Sequence, residues 1–380
     1  MASVALLATA CGATTIRLPL GSGETCGSWR TIPSPSVGNG FNTLDGVTVV
    51  PGGGAWAVGA YLDSSGVGRS LALRYEEGAW RQVRTPAIGS GGTFLNDVEA
   101  VSPSDAWAVG ATRNSDGIAR TFAMHWNGGA WGAVPTPNFG TGDNFLTGVA
   151  IVGRNDVWAS GYRHFKSATR SLLLHWTGNG WRSVSFEVRG SVADGLNAIS
   201  AGPNGDLWAV GGFSRANTST QTLILHYDGQ RWQSEASPNV GVHGNSLTGV
   251  VGSGTDAWAV GGFRDFQGDR QLFLTADKGP WKLHGMPDSR AVSDDLNDVT
   301  AVAPNDLYAV GGTYDGTIDH PLIMRGDGTS WHRMRVADAG VAGSRLSAVA
   351  ASPSGEVWAV GTYTGAHPGR TLIQHLCPAS

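Results

Sequence analysis

The chain alternates short apolar runs with polar, glycine-rich punctuation, and the alternation recurs from one end to the other. Between Leu95 and Phe145 the runs LNDVEAV, AWAVGA, RTFAMHW and AWGAVPT are separated by Ser-Pro-Ser-Asp, a polar stretch and Asn-Gly-Gly. Apolar runs this short, bounded by turn residues, predict β-strands joined by hairpins. No segment sustains a helical period, so the expectation is an all-β protein.

Tryptophan sets the repeat. Trp56, Trp107, Trp158, Trp208, Trp258, Tyr308 and Trp358 are spaced by 51, 51, 50, 50, 50 and 50 residues. A second series, Trp29, Trp80, Trp131, Trp181, Trp232, Trp281 and Trp331, runs about half a period out of step. A fixed period near fifty means one supersecondary unit is copied, here seven times. Four-stranded units that cannot bury their own faces predict a seven-bladed β-propeller. The last copy stops after RTLIQH, before its fourth strand, and Trp29-Arg-Thr-Ile-Pro-Ser-Pro supplies that strand's pattern at the other end. The N-terminal strand is therefore expected to complete the C-terminal blade and close the ring.

The repeat resembles the kelch family and, in architecture, the galactose-oxidase-like propellers. The copy LWAVGGFSRANTSTQTLILHYDGQRWQSEASP carries the likeness, with Gly211-Gly212, Tyr227-Asp228, Trp232 and Pro238 in kelch-like order. The resemblance covers about residues 26 to 380. It departs from the family in its Trp-Ala-Val-Gly strand and in keeping the double glycine in only three copies, at 211, 261 and 311. Kelch propellers serve as enzymes, adaptors and binding modules, so the resemblance implies a fold more than an activity.

The termini set the expected compartment. Met-Ala-Ser-Val-Ala-Leu-Leu-Ala-Thr-Ala-Cys11 is a short apolar run ending in small residues, as in an export signal, and Thr9-Ala10-Cys11 resembles a bacterial lipobox. Residues 1–25 are expected to form signal and tether, and 26–380 the propeller. Cys11 is either lipidated or removed, which places the protein outside the cell, secreted or lipid-anchored. In the split blade the turn before the fourth strand falls between Cys377 and Cys26, predicting a disulfide across the closure. That bond would close about 350 residues, for which chain entropy gives about 5 kcal/mol as an upper bound. Nothing else in the chain is long and apolar enough to span a membrane.

Composition narrows the partners. A formal net charge of −4 with no basic run argues against nucleic acid. No P-loop, CxxC pair or HExxH is present, and no cofactor or metal is expected. Asp105, Asp156, Asp206, Asp256, Asp306 and Glu356 recur two positions before the aromatic residue of the second strand. They are expected to pin turns by accepting backbone N–H bonds. His125, His175, His226 and His375 recur at one strand position and are expected to lie in separate blades, too far apart to hold a metal.

Function is expected in the loops where the copies differ, which open on one face of the ring. Blades three to six load that face with Tyr162, Arg163, Arg215, His243, Phe263 and Arg264, joined by Tyr314 and Tyr363 further round. Aromatic rings beside forked polar groups suit a glycan or cell-envelope ligand, taken by a monomer. His164, Asp194, Asp265, Asp294 and Asp295 are candidate acids and bases for the competing reading, a glycoside hydrolase or lyase. A protein-interaction scaffold is the third. The copper chemistry that the galactose-oxidase likeness implies needs a cysteine crosslinked to tyrosine, and the three cysteines here have other expected roles.

Overall fold

The computed structural model describes residues 27–378 except 166–167, 189–190, 254–255, 278, 286–290, 338, 340–341 and 366–367. Its secondary structure is all β, in seven antiparallel four-stranded sheets. Strands a to d of blade one are Asn42–Val49, Ala55–Leu62, Gly68–Glu76 and Ala79–Val83. Blades two to six repeat that order over 92–134, 144–183, 193–235, 244–283 and 293–333. Blade seven takes Ser344–Ala351, Val357–Tyr363 and Arg370–Leu376 from the C-terminus and Trp29–Thr31 from the N-terminus, with Trp29 opposite Leu376. The expected closure is thus the observed one.

The two tryptophan series interlock from blade to blade. The strand-b residue of one blade packs against the strand-d tryptophan of the next: Trp56 on Trp131, Trp107 on Trp181, Trp158 on Trp232 and Trp358 on Trp80, with ring centroids 5.0 to 5.6 Å apart. Tyr308 meets Trp29 in the same way at 6.0 Å. All these rings are buried, and edge-on pairs add to what area burial alone provides. The half-period offset in the sequence is this register.

Strand a, nearest the axis, carries a β-bulge in every blade just after its buried leucine. The glycine of Trp-Ala-Val-Gly sits opposite, where a Cβ would collide with the carbonyl oxygen of the residue before that leucine. The bulge turns its polar side chain toward the neighbouring blade. Asn96, Thr147, Asn197, Thr248 and Asn297 each donate to the carbonyl of the next blade's leucine at 2.6 to 3.0 Å. Asp45 holds the same place in blade one and accepts from Thr43 Oγ1.

Four of the six recurrent carboxylates are structural, by a different contact from the one expected. Asp105, Asp156 and Glu356 pair with His125, His175 and His375 on strand c at 2.7 to 3.1 Å, and Asp306 pairs with Arg325. His175 and His375 stack on Trp158 and Trp358, with centroids 3.9 Å apart. These groups cover the strand-b rings instead of pinning turns.

A channel of about 250 Å³ on the axis is lined by strand a of all seven blades. Asp97, Glu99 and Asp298 face it. Asp97 and Asp298 each clasp two backbone N–H groups, including Val149 of blade three and Val349 of blade seven. Enclosure from bulk water pushes Asp97 well above the ordinary carboxylate range. Burial likewise raises Glu99 and Asp298 to about 7, Glu99 with help from the negative charge of Asp298, and Asp45 to about 6.

Two outcomes are expected. Asn297→Ala removes one inter-blade donor and leaves a buried carbonyl unpaired, lowering stability by about 1–3 kcal/mol in urea unfolding. A carboxylate raised in the folded state stabilises fully below its unfolded value, near 4.5 for Glu99, and loses that contribution as pH rises through about 7. Thermal stability should therefore fall from pH 5 to pH 8, and Glu99→Gln should raise the pH 8 midpoint by about 2 °C or more and flatten the profile. An unchanged profile in the variant would refute the assignment.

Candidate functional site

The face bearing the b-to-c and d-to-a loops has a seam between each pair of blades. What fills a seam is decided by three positions: the residue before the strand-a leucine, the first residue of the facing strand-c segment, and the residue after the Trp-Ala-Val-Gly glycine. Between blades one and two, the Phe94 ring lies where a Cβ on Gly68 would stand. Between blades seven and one the ring over Gly369 comes instead from Phe41, three residues before the strand-a leucine. Phe145 packs on Tyr162 at 5.2 Å. Between blades six and seven, Arg345 lies over Gly312 and donates to Asp319 at 3.0 Å.

The seams from blade three to blade six have no such plug. Gly195 and Ser246 stand where blades two and three have phenylalanine, and Gly212 and Gly262 where blade three has Tyr162. Two adjoining hollows of about 370 and 380 Å³ result, which share Thr220 and Ser246 as a common wall. Tyr162, Thr169, Asn197 and Phe213 line the first; His243, Phe263, Arg264 and Asp295 line the second. Each lies at the lower end of the size range of small-ligand sites, about 300–1,000 Å³. Burial and the nearby Asp143 charge raise the Tyr162 phenol, which stays protonated and able to donate.

The structure gathers some expected residues and separates others. Tyr162, His243, Phe263 and Arg264 line the hollows. Arg215 lies outside them, its guanidinium 4.9 Å from the Phe213 ring centroid and bonded to Gln221 at 2.8 Å. Arg163 lies on the other side of its strand, over Phe139 at 5.2 Å. Tyr314 is exposed at the rim, and Tyr363 packs on the core between blades six and seven.

The candidate acids and bases all have structural partners. Asp194 accepts Ser171 N and Ser191 Oγ at 2.8 Å, and Asp294 accepts Gln271 Nε2 at 2.9 Å. Both occupy the place where Asn42, Asn144 and Asn245 clamp the preceding loop. Asp265 accepts Gln267 N and Gly268 N, as Asp63, Asn114 and Asp315 do in their own b-to-c loops. Asp295 is held by the Arg345 guanidinium at 2.6 and 2.7 Å. His164 lies 3.7 Å from Asp143, outside the hollows. Among the described residues no group of three or more His, Cys, Asp or Glu side chains is arranged to hold a metal.

Charge in the hollows is self-neutralised. Arg264 is bidentate to Asp269 at 2.7 and 2.8 Å, Asp295 is held by Arg345, and Asp194 has Arg170 at 3.4 Å. The residues that open the site are the ones sequence reasoning passed over: Thr169, Gly195, Gly212, Thr220, Ser246 and Gly262. The signal was present in the stacked copies, as small residues replacing Phe94 and Phe145.

No protein-family model matches the sequence, and no curated protein matches it. Among solved structures, the chain is similar to YCF48 bound to D1 peptide, with 15% identity, a TM-score of 0.57, and coverage of 93% of this chain and 99% of that one. It is also similar to the extracellular domain of the hybrid two-component system BT4673 from B. thetaiotaomicron, with 11% identity and a TM-score of 0.56. That match covers 91% of this chain and 39% of that one. At these identities the likeness shows the fold alone, a β-propeller, here with seven blades.

Proposed function

We propose that the protein is an exported ligand-binding propeller whose top-face groove, across blades three to six, takes an uncharged stretch of glycan. The observation that carries this reading is the pair of unplugged seams, where aromatic rings alternate with hydroxyls and bare backbone while every charged lining side chain already has an opposite partner. Ring faces suit the C–H surfaces of sugars, and hydroxyls and backbone groups suit their O–H groups. A free charge would favour uronic or sialic acids, and the lining offers none. The kelch-like character of the repeat belongs to the same reading, supported by the double glycines at 211, 261 and 311, two of which open the groove.

A second reading, an extended protein segment, is favoured by Phe266 and Val242, 86% and 57% exposed beside the second hollow. The neighbour with a TM-score of 0.57 has a bound peptide. Hydrolysis or elimination in the groove is the less favoured reading, since Asp194, Asp265, Asp294 and Asp295 are committed to holding loops and a cation.

Export and closure go together. Cys26 and the signal at 1–25, with Cys11, lie outside the described residues. Support for a Cys26–Cys377 bond comes from Cys377, which is not a free thiol, and from Gly27 N, which donates to its carbonyl at 3.1 Å. Non-reducing peptide mapping of the exported protein should recover the 26–377 crosslink, and reduction should lower the thermal midpoint. Two free thiols would refute the pairing.

The groove is tested on a panel of neutral and acidic polysaccharides and a library of extended peptides, with the wild type and Ser246→Phe. That substitution installs the plug that blades two and three already carry, so folding should be kept. Saturable binding to a neutral glycan, at least 10-fold weaker in Ser246→Phe and unchanged by added salt, is expected. Retention of peptides alone would move the reading to a protein partner, and binding unaffected by the plug would remove it from the groove.

A further inference from the structure

Strand c is latched to the following d-to-a loop by a hydroxyl pair in four blades: Ser34 with Thr371, Thr85 with Ser70, Thr136 with Thr121 and Ser237 with Thr222, at 2.7 to 2.9 Å. Two residues further along the loop, Ser36, Asn138 or Asn239 accepts the backbone N–H of the same strand-c residue at 2.8 to 3.2 Å. Blade three keeps the strand-c hydroxyl, Ser171, and loses both loop partners, which are replaced by Phe186 and Val188. Asp194 rescues the Ser171 N–H at 2.8 Å. The Ser171 Oγ is left buried with no hydrogen-bond partner.

The failed latch leaves a cavity of about 400 Å³ on the flank of blade three. Its apolar lining includes Phe139, Leu172, Val184, Phe186 and Val188. Arg163 stands in the same lining, over the Phe139 ring, with no carboxylate partner among the described residues. Arg170 is already engaged with the Val192 carbonyl at 2.6 Å. A buried unpaired hydroxyl and a half-buried unpaired guanidinium are costs that a ligand can offset. The cavity adjoins the top-face groove only through Asp194, which lines both.

We infer that this flank cavity is a second binding site, for a small organic acid whose carboxylate meets Arg163 and Ser171 while its apolar or aromatic body lies among Phe139, Phe186 and Val188. A planar carboxylate matches the guanidinium fork in two parallel hydrogen bonds, and the rings and aliphatic chains take the rest. The inference does not depend on what fills the groove.

The probes are 4-phenylbutyrate and 4-phenylbutyramide, titrated into the full-length exported protein by calorimetry and by ligand-observed NMR. Saturable binding of the acid is expected, with the amide at least 10-fold weaker. Arg163→Gln should weaken the acid at least 10-fold and leave the amide unchanged. Phe186→Thr combined with Val188→Asn restores the latch of blade two, and should abolish binding and raise the thermal midpoint. Ser246→Phe, which closes the groove, should leave the acid's affinity unaltered. The inference is overturned by no saturable binding, by equal binding of acid and amide, or by a folded latch-restored variant that still binds. If that double variant fails to fold, Arg163→Gln with the acid and amide pair decides alone, and loss of acid binding in Ser246→Phe would overturn the assignment to the flank.

Discussion

Blade-to-blade packing of aromatic rings is the constraint on which the remainder depends. A four-stranded sheet buries nothing by itself; it becomes stable when its strand-b tryptophan is seated against the strand-d tryptophan of the next blade. That contact joins residues about one and a half periods apart, so it specifies the ring and not merely the blade. It is made as a ring pair at five of the seven interfaces, and at the other two Trp208 with Trp281 and Trp258 with Trp331 share a buried cluster. Blade seven therefore cannot be left with three strands, because Tyr308 of blade six needs Trp29 from the N-terminus. Closure by the first strand is a packing requirement before it is a way of hiding an edge.

Inside that constraint the polar repeats serve the rings. His175 and His375 lie flat on Trp158 and Trp358 and are held there by Asp156 and Glu356, so these two acids act on an aromatic contact through an imidazole. The bulge in strand a does the same near the axis, aiming Asn or Thr at the next blade's carbonyl. Asp45 in that circle, and Asp97, Glu99 and Asp298 just below it, are the exceptions: carboxylates where burial opposes charge.

Blade number, strand order, closure and the structural nature of the repeated Asp and His were legible because each rests on periodicity, which a sequence displays directly. The site was legible only as to face and sector. Reasoning from the loops favoured charged residues, yet Asp194, Asp265 and Asp294 share positions with Asn or Asp residues that hold loops in other blades, and Asp295 is held by Arg345 of the next blade. A rim that must stay folded without a core under it uses its charges on itself. The groove is made instead by what is missing, a phenylalanine replaced by Gly195 or Ser246, and an absence has no residue type to attract notice.

The same logic separates the two hollow regions of blades three to six from the rest of the ring. A repeat protein can lose a local plug or latch without losing its fold, because each blade is held by its neighbours through the ring contacts and not through its loops. Loss of the phenylalanine plug opens the top seams at 195 and 246. Loss of the Ser/Thr and Asn latch opens the flank of blade three at 186 and 188. Beneath the seam at 195 Trp158 still meets Trp232 at 5.6 Å, beneath the flank Trp107 still meets Trp181 at 5.4 Å, and beneath the seam at 246 Trp208 and Trp281 share one buried cluster. Departures from the repeat that spare the rings while exposing aromatic and polar groups are where a propeller can take up ligands at little cost to stability, and in this chain they cluster in one sector.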